Sequence, residues 1–299
     1  MHYFRVITID ISFKPRISLA SQGALLIIFS ELFLIISGMV IKHLSAQEVP
    51  TGQIMLFRNA FALMILMPWL VSTGLGSFKT RFLKYHFMRA SFGVCAMGCL
   101  YYAWGHLPLA QSALLKQTSP FFIPLIAFLW LNEKLDKIVF MAIFIGFCGV
   151  YFILNPTAGS INYVVLIALL GAVLGAVAKV TIRKLGHTEN SKLIVFYFSF
   201  FATILSIVPA YLSWQPIGLN ALLWLLILAI TSTIAQLLLS KAYRLAKAGF
   251  LAPFTYSSVF YAALLGWVFF AEAVSIETVL GMLLICSAGL LALKGAKKA

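Results

Sequence analysis

The sequence predicts an all-α integral membrane protein: ten transmembrane helices arranged as two inverted five-helix repeats around a central cavity. Three observations predict this class. The 299 residues are 62% hydrophobic and 10% charged, whereas a soluble domain carries about a quarter charged residues. The apolar residues gather in continuous runs near the roughly 20 residues that a spanning helix needs, and mean hydropathy is +1.02. Almost every basic residue falls in alternate gaps between those runs. Continuous runs favour helices over a barrel, whose strands would alternate.

The spans fall at about 23–41, 52–72, 87–105, 110–131 and 138–154, and then at about 162–182, 193–212, 219–240, 249–271 and 277–293. A short tail, 1–21, precedes them; Asp10 interrupts its one apolar run, which argues against a signal peptide. One set of gaps holds the basic residues of the tail, then Lys79, Arg81, Lys84 and Arg89, then Lys134 and Lys137, and so on to Lys297 and Lys298. The opposite set holds Lys42 alone, and its loops NPTAGSIN (155–162) and SWQPIGLN (213–220) have no basic residue. The positive-inside rule then places both termini in the cytoplasm of a multi-pass protein of the cytoplasmic (inner) membrane.

The formal charge of +14 is therefore a property of loops, and no long basic run interleaved with aromatics points to nucleic acid. Cys95, Cys99, Cys148 and Cys286 all lie in apolar runs and read as packing residues. The histidines have no metal-ligand spacing. Nothing reads as a phosphate loop, a nucleophile elbow or a catalytic carboxylate pair. The expectation is no enzyme and no cofactor, with the bilayer and a small molecule as partners and a monomer or homodimer as the assembly.

Shifting the chain by about 140 residues superposes IKHL (41–44) on IRKL (182–185), Pro68 on Pro209, Ala103-Trp104 on Ala242-Tyr243 and Glu133 on Glu272. Each unit, 22–155 and 160–295, has five spans. An odd number makes the second unit enter the membrane from the opposite face, which is an inverted repeat, and such folds set a substrate site between the halves.

The segment 241–293, with its APF-x-Y (252–256) and ALLGW-x-FF-x-E (263–272) elements, resembles the last two helices of EamA-like members of the drug/metabolite transporter superfamily. TSPFFIPLIAFLWLNEKL (118–135) is similar to the matching helix of the first half, and LFRNAFALMILMP (56–68) to the family's second helix with its Arg. RKLGHTE (183–189) resembles the loop after the sixth helix. The resemblance implies ten helices in two inverted halves and transport of small organic metabolites. Asn132 and Ala271 stand where the family often has Gly before the terminal Glu, a departure confined to helix ends.

Charges inside the spans are the candidate site. At about 1.5 Å per residue, Glu31 lies about 13 Å into span one, and Arg58 and Lys116 about 9 Å into spans two and four. A mid-membrane charge costs about 2.5–3.5 kcal/mol on insertion scales, so these side chains face the cavity, pair with one another, or snorkel to the interface. The same choice applies to Lys179, read as a snorkelling anchor. Under the 140-residue shift these three positions meet Ala172, Ser199 and Thr255, which gives the cavity one charged wall and one neutral wall. The neutral wall offers Thr255, Tyr256 and Tyr261; Tyr102 and Trp104 at the end of span three are interfacial anchors or a stacking wall. Glu272, like Glu133, reads as a solvated carboxylate at a helix end.

Such a site suits amino acids or related zwitterions, with Lys116 or Arg58 on the carboxylate and Glu31 on the ammonium. Glu31 is also the group that would carry a proton, the candidate coupling ion. The alternatives are proton-coupled export of cationic or aromatic drugs and translocation of lipid-linked substrates.

Overall fold

The computed structural model describes residues 18–73, 80–119, 121, 122, 126, 137–154, 162–186, 188–245, 251 and 254–296. The elements they form are all helices: α1 Leu19–Ala46, α2 Thr51–Thr73, α3 Leu83–His106, α4 Leu109–Lys116, α5 Lys137–Leu154, α6 Tyr163–Gly186, α7 Ser191–Leu212, α8 Leu219–Leu245, α9 Ser257–Phe270 and α10 Ile276–Ala296. Four are long and apolar enough to cross a bilayer: α1 and the segments Tyr163–Ile182, Lys192–Leu212 and Leu219–Tyr243 of α6, α7 and α8. Phe140–Phe152, Ser257–Phe270 and Ile276–Leu291 are shorter apolar helices. Glu133, Pro120, Pro124, Pro253 and most of the 155–162 loop lie outside the described residues.

Local chemistry sets the helix ends. Ser18 Oγ accepts from the Ser21 N–H, Asn162 Oδ1 from Val164, Asn190 Oδ1 from Lys192 and Ser275 Oγ from Thr278, at 3.0–3.2 Å. Each satisfies an N–H that the first turn leaves open. Between α3 and α4, Pro108 bars the extended Leu107 from continuing the helix. At the end of α9, Ala271 takes φ 52°, and the Glu272 N–H closes back on the Gly266 carbonyl at 3.1 Å. That is the left-handed stop which glycine usually provides.

The most extensive packing joins α1 to α8, α3 to α6, α2 to α7 and α5 to α10. Every one of these pairs unites a helix before residue 155 with one after residue 162. One apolar core runs through Ile35, Leu44, Met97, Trp104, Phe198 and Leu225. A second runs through Phe121, Ile143, Val165, Ile285 and Ala288. Large apolar side chains also cover the outside: Phe140, Phe144, Phe260 and Trp267 are each about two-thirds exposed. In water such a surface would aggregate; against lipid it is solvated.

Small residues let the pairs close. A Cβ on Gly52 of α2 would lie 2.5 Å from the Pro209 carbonyl oxygen of α7, backbone that cannot yield. The structure also corrects one placement: α3 begins at Leu83, so His86 and Arg89 are buried within the helix and are not loop residues. The span expected from about 87 starts a turn earlier because the buried face of α3 already begins at His86.

Gly52→Ala should lower stability by about 1–3 kcal/mol, the usual cost of overpacking, read as a drop in the thermal unfolding midpoint of the detergent-purified protein. Ala271→Gly should raise that midpoint by relieving about 1 kcal/mol of left-handed strain.

Candidate functional site

Two helices are interrupted at positions that the 140-residue shift nearly superposes. α4 ends at Lys116 and the chain turns through Gln117 and Thr118, with Ser119 and Phe121 helical again. α9 starts at Ser257 after a turn at Tyr256, with Phe254 and Thr255 helical before it. α4 and α9 pack on each other. The Gln117 side-chain amide bridges the two breaks: Nε2 donates to the Thr255 carbonyl at 2.6 Å and lies 2.8 Å from Ser258 Oγ. Interrupted helices free backbone groups inside a membrane protein, and those groups are tolerated where they line a site or find a partner.

Charge gathers at the α4 break. Lys116 Nζ donates to Glu31 Oε2 of α1 at 2.8 Å, and both side chains are largely buried. Lys179 of α6 donates to Ser119 Oγ at 3.3 Å, and the Lys116 and Glu31 charges lie within electrostatic reach of it. Lys179 thus turns inward beside the break, contrary to the snorkelling expectation, and it brings a cation of the second half to what was expected to be a first-half cluster. The Glu31–Lys116 pair gains Coulomb energy in a low dielectric and loses the hydration of both ions. Its retention is a matter of placement more than of net stability.

Arg58 is elsewhere. It is 2% exposed, its Nε donates to Ser232 Oγ of α8 at 2.8 Å and its Nη1 to Asn59 Oδ1 at 2.7 Å. Of the aromatic candidates, Trp104 is buried in the main core, packed over Gly38 of α1. Tyr102 stacks on His106, centroids 4.0 Å apart, and its hydroxyl lies 3.4 Å from that of Tyr163. Tyr256 faces Gly289 of α10, and Tyr261 packs against the main core. The structure therefore brings Glu31, Lys116 and Thr255 together and leaves Arg58, Tyr102, Trp104, Tyr256 and Tyr261 outside that cluster.

One end of the bundle carries a second ion pair. Lys42 of α1 meets Glu272 at 2.5 Å and donates to the Leu107 carbonyl at 2.9 Å. Glu272 Oε2 accepts from the Leu109 N–H at 2.8 Å, where α4 begins. Glu272 is thus a cross-half partner and not the solvated helix end expected. At the same end Gln53 Nε2 donates to the Gln215 carbonyl at 2.8 Å. A cavity of about 50 Å³ beside Glu272, Gln111 and Thr278 has room for water and not for an organic cargo. At the opposite end Thr80 donates to Glu189 at 2.7 Å and Lys184 to the Tyr85 hydroxyl at 2.7 Å.

The EamA-like transporter family matches residues 21–155 and again 162–293. The chain belongs to this family. It is a multi-pass membrane protein of a family of small-molecule transporters. It is 29% identical to the pseudopaline exporter of Pseudomonas aeruginosa over 274 residues, 90% of this chain and 95% of that one. It is 28% identical to a riboflavin transporter of Vibrio cholerae over 253 residues, 83% and 85% of the two chains. A solved crystal structure, 18% identical, superposes with a TM-score of 0.64 over 93% of this chain and 99% of that one, a likeness of fold alone.

The residues that sequence reasoning missed in this EamA-like chain are Gln117, whose polar amide in an apolar run was a signal, and Lys42, whose isolation among the acidic and neutral loops was another. Removing one member of the buried pair, as in Lys116→Met, should cost about 3–5 kcal/mol by leaving Glu31 uncompensated. The double variant Glu31→Gln/Lys116→Met should recover most of that loss in thermal unfolding.

Proposed function

We propose that this protein is a secondary transporter that moves small organic metabolites, amino acids or related zwitterionic compounds, across the cytoplasmic membrane by alternating access between two inverted five-helix halves. The observation that carries this reading is the helix pairing. Exchanging each helix with the one five later turns α1–α8 into α6–α3, α3–α7 into α8–α2 and α1–α9 into α6–α4, and leaves α2–α7, α4–α9 and α5–α10 unchanged. The most extensive pairings survive this exchange, although α1–α3 has no α6–α8 counterpart of similar extent; a two-fold axis in the membrane plane generates such a pattern, and such halves rock about a fixed site. The repeated family match supports the same division.

The cytoplasmic side is the end that carries Lys184 and Lys192, following the basic bias of alternate loops. Both termini then lie inside, and the Lys42–Glu272 pair is an outer latch between the halves. The interrupted helices α4 and α9 sit where cargo would meet Lys116, Gln117 and the Thr255 carbonyl that Gln117 now holds. Transport by this chain draws on existing gradients, with a proton as the candidate coupling ion.

Breaking the latch should open the outer side. In a background lacking the four native cysteines, Lys42→Ala should speed labelling of Gln117→Cys by an impermeant maleimide from outside by about tenfold, the change that about 1.4 kcal/mol of latch energy gives. An unchanged rate would remove the latch and the alternating-access reading with it. Glu31→Gln and Lys116→Gln should each slow uptake or exchange in liposomes screened with amino acids, nucleobases and cationic dyes; unaltered kinetics in both would take the pair out of the cargo site.

A further inference from the structure

Two guanidinium groups are buried in the bundle without a carboxylate among the described residues. Arg58 of α2 and Arg89 of α3 are 2% and 6% exposed. They share the ring of Phe198 on α7, 5.9 and 4.1 Å from its centroid. Among the described residues Arg58 donates to the neutral oxygens of Ser232 and Asn59, and Asn59 donates onward to Ser206 Oγ at 3.3 Å. Among the described residues Arg89 Nε and Nη1 meet no acceptor, and neither do the two ring nitrogens of His86, fully buried one turn before and 4.5 Å from the Tyr197 ring.

The described acidic residues are committed elsewhere. Glu31 holds Lys116, Glu272 holds Lys42, and Glu189 accepts from Thr80. Glu48 is exposed in the turn after α1, and Glu277 stands in the first turn of α10. Among the described residues, therefore, Lys116 is matched by Glu31 and Lys42 by Glu272, while the buried Arg58 and Arg89 have no carboxylate on them. Arginine cannot shed its charge by losing a proton. A buried guanidinium without a counter-ion is costly, and Phe198 offsets only part of it. A planar oxyanion offers two acceptor oxygens that match the guanidinium fork.

We propose that Arg58 and Arg89 form an anion subsite and that the transported molecule is a carboxylate with net negative charge, held by that group between the two halves. The inference rests on the transport reading above. The subsite is built from both halves, with Arg58 and Arg89 from the first and Phe198 and Ser232 from the second, so its geometry changes as the halves rock. An anion held there neutralises the interior only while bound, which ties the charge balance of the bundle to the presence of cargo. A cationic drug would instead meet the two guanidinium charges of Arg58 and Arg89, so this arrangement selects against it.

The test uses the full-length protein in detergent with glutarate, citrate and glutamate as probes, dimethyl glutarate as the uncharged isostere, cadaverine as the cation, and inorganic phosphate. At least one carboxylate should raise the thermal midpoint in a saturable way, and the ester and cadaverine should not. Arg89→Gln should weaken the apparent affinity about tenfold or more, and Arg89→Lys, which keeps the charge and loses the fork, by less. Should Arg89→Gln not purify as a monodisperse species, Arg89→Lys and Arg58→Lys carry the comparison. No shift with any carboxylate, an equal shift with the ester, or the same affinity in the arginine variants overturns the proposal. A shift with phosphate alone also overturns it, in favour of a lipid headgroup or free phosphate. The maleimide test of the latch needs no cargo, so failure of the anion subsite leaves alternating access standing, and failure of the latch is read independently.

Discussion

An ion inside a membrane bundle has to find its partner within the bundle, and the Glu31–Lys116 pair is where this chain meets that requirement most directly. Lys116 is the last residue of α4, so the pair anchors α1 to the point at which the helix turns aside. The turn then places Gln117 opposite the Thr255 carbonyl and Ser258. Ion pair, helix break and cross-half hydrogen bond are thus one unit. A continuous α4 would carry the Gln117 side chain to a different azimuth and leave the break in α9 without its donor.

The helices before residue 155 and those after residue 162 are interlocked rather than set side by side, because the most extensive contacts cross between them. Lipid is as apolar as leucine, so helices there associate through close packing and hydrogen bonds. Gly52 against the α7 backbone, Gly38 under Trp104, Ser37 with Thr231 and Ser30 on the Ala235 carbonyl supply both. Polar ties sit at both ends of the bundle, with Lys42–Glu272 and Gln53–Gln215 at one and Thr80–Glu189 and Lys184–Tyr85 at the other. Ties of this kind can break and reform singly while the apolar seams between them persist.

The relatives show how a scaffold and its cargo separate. An exporter of pseudopaline and a transporter of riboflavin align with most of this chain, so the shared scaffold by itself does not name a substrate. The candidates for that choice in this chain are the charged side chains turned inward. In this chain that set is cationic, and its two arginines are divided from the Glu31 cluster.

Hydropathy made the apolar segments legible, because the transfer of each side chain into lipid depends on that side chain and a window of neighbours. Family motifs made the membership legible, and Glu31, Arg58 and Lys116 stood out because a charge in an apolar run is conspicuous. Arg89 was hidden by Lys84 and His86, which made a buried helix face look like a basic loop. Lys179 was hidden by its closeness to Arg183 and Lys184, which mimics an anchor. The tertiary structure alone decided which charges meet: Glu31 and Lys116 are 85 residues apart, and Lys42 finds Glu272 in the other half. Coulomb energy and hydrogen bonding depend on separation in space, and no local pattern along a chain encodes that separation.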